Sequence, residues 1–95
     1  MEDTEEKEPP VVHIPIDGEL DLHTFSPAEA SSVVDEYLQA CLDMNIHEVR
    51  IIHGKGKGVL RRTVHSLLEG HPKVLNFEID PGPSSWGVTV VRLKP

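Results

Sequence analysis

Residues 48–62 read Glu48-Val49-Arg50-Ile51-Ile52-His53-Gly54-Lys55-Gly56-Lys57-Gly58-Val59-Leu60-Arg61-Arg62. Val49, Ile51 and Ile52 form a short β-branched run of the kind a buried strand uses. Three glycines alternating with two lysines cannot continue that strand. Beyond them Leu60, Val64, Leu67 and Leu68 recur at helical spacing until Gly70 and Pro72 stop the pattern. A strand that passes through a glycine loop into a helix is the unit of an α/β fold.

The same logic extends upstream. Ser26-Pro27-Ala28-Glu29 joins an N-cap serine, a proline at the first helical position and a glutamate three residues after the cap. The helix that starts there is expected to run to about Met44, with Ala30, Val34, Tyr37, Cys41 and Leu42 on one face and Glu29, Asp35, Glu36 and Asp43 away from it. Before it, Val12, Ile14 and Ile16 alternate with His13 and Pro15, Asp17-Gly18 offers a turn, and Leu20 and Leu22 alternate with Asp21 and His23. Pro15 confines the first of these pieces to an edge or to the outside of the sheet. Downstream, Leu75, Phe77 and Ile79 alternate in a further strand, Pro81-Gly82-Pro83 breaks it, and Val88 to Leu93 forms the last. The predicted order is (β)β-α-β-α-β-β, a two-layer α/β sandwich with a mixed sheet and two main helices. Helical crossovers are right-handed and make the strands they join parallel. The C-terminal ends of those strands and the N-termini of both helices therefore meet at one end of the sheet, where open α/β sheets bind ligands.

The 95 residues, 10.6 kDa, make one folded domain over residues 11–95, preceded by an acidic arm at 1–10 that is too polar to bury. The net charge of −7 is unevenly shared: −4 over residues 1–8, −8 over 9–49 and +5 over 50–95. The local field decides what binds locally, so the basic C-terminal half keeps nucleic acid among the candidate ligands. A single cysteine, Cys41, excludes an internal disulfide and a multi-cysteine zinc site and fits a reducing compartment. With no long apolar run and no signal-peptide pattern, the expected location is cytoplasmic, away from membranes.

Three groups of residues carry candidate chemistry. Asp21 and His23, two apart on a strand, share a face and would serve as an acid/base pair or as donors to a divalent metal. On spacing alone, a surface strand end with polar caps is the commoner explanation. The loop is the stronger signal: Gly54, Gly56 and Gly58 let a ligand approach the backbone, Lys55 and Lys57 add charge, and Arg61 and Arg62 follow at the start of a helix, where an anion is favoured. A flexible turn with solvated lysines is the rival reading there. It is not a P-loop, having no Gly-Lys-Ser/Thr, and Val59 stands where a dinucleotide fingerprint would need glycine. His53, at the exit of the strand, opens toward the same end as His23. His13, His47, His65 and His71 lack ligand-like spacing and are expected at the surface. Trp86 is placed either to stack on a base or to pack at the rim.

Leu20-Asp21-Leu22-His23, Glu29-Ala30, the run from Ile52 through Gly58-Val59-Leu60 to Arg61, and Gly87-Val88-Thr89-Val90-Val91-Arg92-Leu93 together resemble the Smr, or small MutS-related, domain family over about residues 12–94. The resemblance implies a small α/β sandwich associated with DNA or RNA binding and with phosphodiester cleavage. It places Asp21 and His23 at the reactive centre and residues 53–58 as the phosphate cradle. Thr24, where the family commonly has glycine, and the Pro81–Trp86 stretch depart from its pattern.

The expected function is therefore a nucleic-acid-binding endonuclease that nicks DNA or cleaves RNA. Asp21 orients or deprotonates, His23 is general acid/base, and His53 supports the phosphate or the proton transfer. Lys55, Lys57 and Arg61 neutralise charge, with Mg or Mn as an optional divalent cofactor. The alternatives are a binding module for nucleic acid or ribonucleoprotein without catalysis, and an interaction domain that engages a protein through the acidic arm or the first helix.

Overall fold

Six elements follow from these local rules: β1 (Glu19–Asp21), α1 (Pro27–Asp43), β2 (Glu48–Ile52), α2 (Val59–Glu69), β3 (Val74–Ile79) and β4 (Val88–Leu93). They come from a computed structural model that describes residues 15–54, 58–80, 82 and 87–95. The arm, the predicted strand residues up to Ile14, and Lys55, Gly56, Lys57 and Trp86 lie outside the described residues.

Helix α1 begins as expected: the Ser26 hydroxyl accepts from the Glu29 amide at 3.2 Å, and the Glu29 carboxylate accepts from the Ser26 amide at 2.9 Å. It ends when Asn45 adopts a left-handed φ of 64°. The Asn45 amide then reaches the Leu42 carbonyl at 2.9 Å and the Ile46 amide reaches Cys41 at 2.8 Å, a Schellman closure. Tyr37, 4% exposed, ties the helix to the chain entering β1, because its hydroxyl accepts from the Gly18 amide at 3.0 Å and donates to the Glu19 carbonyl at 3.1 Å. Pro15 and Ile16 stand outside the sheet.

The sheet order is β1-β2-β4-β3. β1 pairs with β2 in parallel, while β4 runs antiparallel to both β2 and β3. The α2 crossover therefore carries the chain past the place that β4 later fills, and β1, β2 and β3 point the same way. Both crossovers step in the same direction across the sheet, so right-handedness puts both helices on one face. Leu20, Leu22, Val49, Ile51, Val91 and Leu93 meet Ala30, Val34, Tyr37, Leu38, Cys41, Val64 and Leu68 there in a single core. The other face carries a lattice of charge. Arg50 reaches Asp80 at 2.6 Å and Glu19 at 3.7 Å, and Arg92 reaches Glu78 at 3.6 Å and Glu48 at 3.9 Å. Pairs this exposed contribute roughly 1 kcal/mol or less each. No helix among the described residues is long and apolar enough to cross a membrane.

The alternation expected in β3 is broken. A register shift between Val74 and Asn76 leaves Leu75 57% exposed, so Val74, Phe77 and Ile79 are the inward set rather than Leu75, Phe77 and Ile79. One extra residue in an edge strand turns a side chain to the opposite face. Accordingly, Leu75→Lys should change the unfolding free energy in urea by no more than about 0.5 kcal/mol, whereas Phe77→Ala should cost about 2 kcal/mol.

Candidate functional site

The parallel run of β1 and β2 and the reversed β4 bring four chain segments to one end of the sheet: residues 21–23 after β1, 53–54 after β2, the start of α2, and Gly87-Val88-Thr89 at the start of β4.

At the first of these the strand is shorter than its alternating pattern. β1 stops at Asp21, and although the Leu22 amide still reaches the Ile52 carbonyl at 2.7 Å, the chain then turns, with the Phe25 amide on the Leu22 carbonyl at 2.8 Å. The turn folds His23 back onto Asp21. One carboxylate oxygen, Asp21 Oδ1, accepts from the His23 amide at 3.0 Å and meets His23 Nδ1 at 2.6 Å. Two side chains expected to stand apart on one strand face are thus joined directly, and both are about half exposed. Partial burial pulls the Asp21 carboxyl upward, but the side-chain and backbone hydrogen bonds from His23 outweigh it and hold the group below the usual carboxylate range.

The glycine loop leaves β2 against this pair. Gly54 has a φ of +84°, a conformation L side chains rarely adopt, and a Cβ built on it would lie 3.5 Å from His23 Cβ. Its amide and that of His53 both donate to the Gly87 carbonyl, at 3.0 and 2.9 Å. His53 is only 5% exposed: its Nδ1 lies 3.2 Å from the Gly54 carbonyl and its Nε2 lies 2.8 Å from the Thr89 hydroxyl. The loop meets α2 at Gly58, which has a φ of +85° and offers no side chain to cap the helix. Arg61 and Arg62 fold back over that glycine. A Cβ there would come within 3.0 Å of an Arg61 guanidinium nitrogen and 3.4 Å of one from Arg62. Positive charge therefore gathers at the helix end that already favours an anion.

Of the residues singled out from the sequence, Asp21, His23, His53, Gly54, Gly58, Arg61 and Arg62 converge on this end; Lys55, Gly56, Lys57 and Trp86 lie outside the described residues. His65 is a correction. Expected at the surface, it is half-buried with Nε2 2.7 Å from the Thr89 hydroxyl and its ring 5.0 Å from that of Phe77. His71 and His47 are also less exposed than expected. His71 Nε2 pairs with Asp35 at 2.9 Å, bridging the end of α2 to α1, and His47 bonds to Asn45 at 3.1 Å. Thr89 was not among the candidates, although a hydroxyl at a position that alternates with core Val91 and Leu93 is a polar signal in an apolar register. Among the described residues, no three His, Cys, Asp or Glu side chains gather as a metal would require.

The Smr domain model matches residues 20–94. The chain is 39% identical over 80 residues to Endonuclease MutS2 of Clostridium tetani and 40% identical over 80 residues to that of Clostridium botulinum. Each match covers 83% of this chain but 10% of the relative, so the chain spans about a tenth of the length of these curated relatives. Among solved structures, the Smr domain of Thermus thermophilus MutS2 superposes with a TM-score of 0.77 at 36% identity, covering 83% of this chain and all of that one. YdaL, a stand-alone small MutS-related protein from Escherichia coli, superposes with a TM-score of 0.75 at 25% identity, over 85% of this chain and 67% of YdaL. The family model spans most of the chain and the mixed sheet with its two helices superposes on solved members, so the chain belongs to the Smr domain family.

Proposed function

We propose that this domain binds DNA or RNA along Gly54–Arg62 and hydrolyses a phosphodiester bond with the Asp21–His23 pair. The supporting observation is the 2.6 Å contact of Asp21 Oδ1 with His23 Nδ1, beside Gly54 and at the same sheet end as Arg61 and Arg62. A carboxylate on Nδ1 selects the tautomer that leaves Nε2 to take a proton and stabilises the imidazolium that results. His23 Nε2 accepts the proton of an attacking water as its oxygen bonds to phosphorus, and the bond from phosphorus to the leaving oxygen breaks, the leaving oxygen keeping the electron pair and taking a proton from solvent. Lys55, Lys57, Arg61 and Arg62 offset the charge that grows on the phosphate oxygens. Gly56, which has no side chain, and Trp86 complete the proposed contacts, with phosphate and with a base. His53, buried with both ring nitrogens engaged, supports the loop rather than touching substrate. Asp21 and His23 would hold Mg or Mn only together with phosphate and water oxygens, and an ion held there would polarise the phosphate as a Lewis acid. The cleavage of nucleic acid by MutS2 relatives is consistent with this reading, because their name is Endonuclease MutS2.

The direct test incubates the purified domain with labelled single-stranded RNA and with supercoiled plasmid, with and without EDTA. Asp21→Asn and His23→Ala should slow cleavage by about 10²-fold or more with little change in affinity. Binding without cleavage under every metal condition would favour the non-catalytic clamp. In the reverse sense, Lys55→Ala and Lys57→Ala should each reduce the slope of log K against log salt by about 0.7–0.9, and unchanged slopes in the double variant would remove the loop as the phosphate site. Deleting residues 2–8, which hold all of the −4 of residues 1–8, should leave the melting temperature nearly unchanged and tighten binding at low salt. Stability should also depend on pH. Burial lowers His53 and His65 below 6.5, helped by Arg61 and opposed by the Gly54 bond and by Glu69 respectively. Their contribution is complete above pH 6.5 and is lost as pH falls through the folded values, so a melting series should show Tm dropping as the pH is taken below 6.5.

A further inference from the structure

Behind the glycine loop, between β4 and α2, lies a group of polar side chains that phosphodiester hydrolysis leaves without a role. Thr89 is fully buried, and its hydroxyl oxygen stands 2.8 Å from His53 Nε2 and 2.7 Å from His65 Nε2. The two imidazoles meet edge to face with centroids 6.0 Å apart and planes at 82°. Phe77 of β3 closes the far side of His65.

The hydrogen-bond inventory allows one arrangement for neutral rings. The Gly54 carbonyl can only accept, so His53 Nδ1 carries its proton. His53 Nε2 is then an acceptor and takes the single hydroxyl proton of Thr89, and the Thr89 oxygen in turn receives the Nε2–H of His65. Donation runs in one direction, from His65 through Thr89 and His53 to Gly54. The rings stay neutral because burial disfavours the cation in both, and Arg61 on α2 pushes the same way. Glu69, also on α2, is the opposing charge near His65.

We propose that Thr89 and His65 are positioning residues, which lock His53 in its Nδ1–H tautomer so that its ring holds the Gly54 carbonyl and sets the direction in which the glycine loop leaves β2. The functional consequence rests on the reading of that loop as a phosphate site. With the proton on Nε2 instead, a lone pair of Nδ1 would face the Gly54 oxygen, and the Gly54 carbonyl would lose its hold. The Gly87 carbonyl already fixes the Gly54 amide at 3.0 Å, so the ring supplies the second constraint on the same peptide turn.

The experiment uses the full chain with nitrogen-15 label. Side-chain histidine correlation spectra at neutral pH, without nucleic acid, read the tautomer of His53, and fluorescence anisotropy with a labelled single-stranded RNA reads affinity. The wild type should show His53 protonated at Nδ1 alone. Thr89→Val, near in shape but without the hydroxyl, should give exchange between tautomers and about tenfold weaker binding, and Thr89→Ser should restore both. His65→Gln, whose amide N–H replaces the donor, should behave as wild type where His65→Phe does not, which keeps the test decisive if Thr89→Val fails to fold. A wild type protonated at Nε2, or a folded Thr89→Val or His65→Phe with a fixed Nδ1–H tautomer and unchanged affinity, would overturn the proposal. A wild type that binds neither RNA nor DNA would defeat the proposed function instead, and the tautomer spectra alone would then decide the lock.

Discussion

One carbonyl governs the geometry of the functional end. Gly87, just before β4, accepts the amides of both His53 and Gly54 and so carries the pairing of β2 with β4 past the end of β2. Two consecutive amides can share one acceptor only if the chain bends there, and Gly54 supplies the bend with its left-handed φ. Because β4 runs antiparallel into the sheet, its first residues lie where the parallel strands finish. Without that reversal, Thr89 would sit at the far end, and neither imidazole behind the loop would have a hydroxyl to meet.

Exposure separates two polar groups that share one end of the sheet. Asp21 and His23 are about half exposed, and the hydrogen bonds from His23 favour the Asp21 carboxylate. His53 and Thr89 are buried, and there the cost of removing an ion from water exceeds what nearby groups return. This end of the sheet therefore has an exposed acid and imidazole in front and a buried, uncharged pair behind them. The ion pairs on the helix-free face of the sheet are mostly exposed and weak, the Arg50–Asp80 pair being the more enclosed one.

The acidic and basic halves of the sequence also find separate places. Glu29, Asp35, Glu36 and Asp43 lie on the exposed side of α1, while Arg61 and Arg62 gather at the start of α2. A polyanion that approaches the glycine loop meets the basic end, and the exposed side of α1 repels it from elsewhere on the molecule.

Local chemistry sufficed for much of this. The capping box at Ser26–Glu29, the β-branched run of β2, the apolar stripes of both helices and the right-handed crossover rule carried the elements, the two layers and the end of the sheet at which strand exits and helix starts meet. The glycine loop and the Asp21-Leu22-His23 spacing were likewise visible as residue patterns. What escaped depends on contacts between residues far apart in sequence. The bulge that turns Leu75 outward is a matter of register against β4, which no alternation within β3 records. His65 sits on α2 beside the apolar stripe, and only the insertion of β4 between β2 and β3 brings Thr89 under it, 24 residues on. Periodicity reports which face a side chain takes on its own element; which partner it finds there is decided by the order in which the strands assemble.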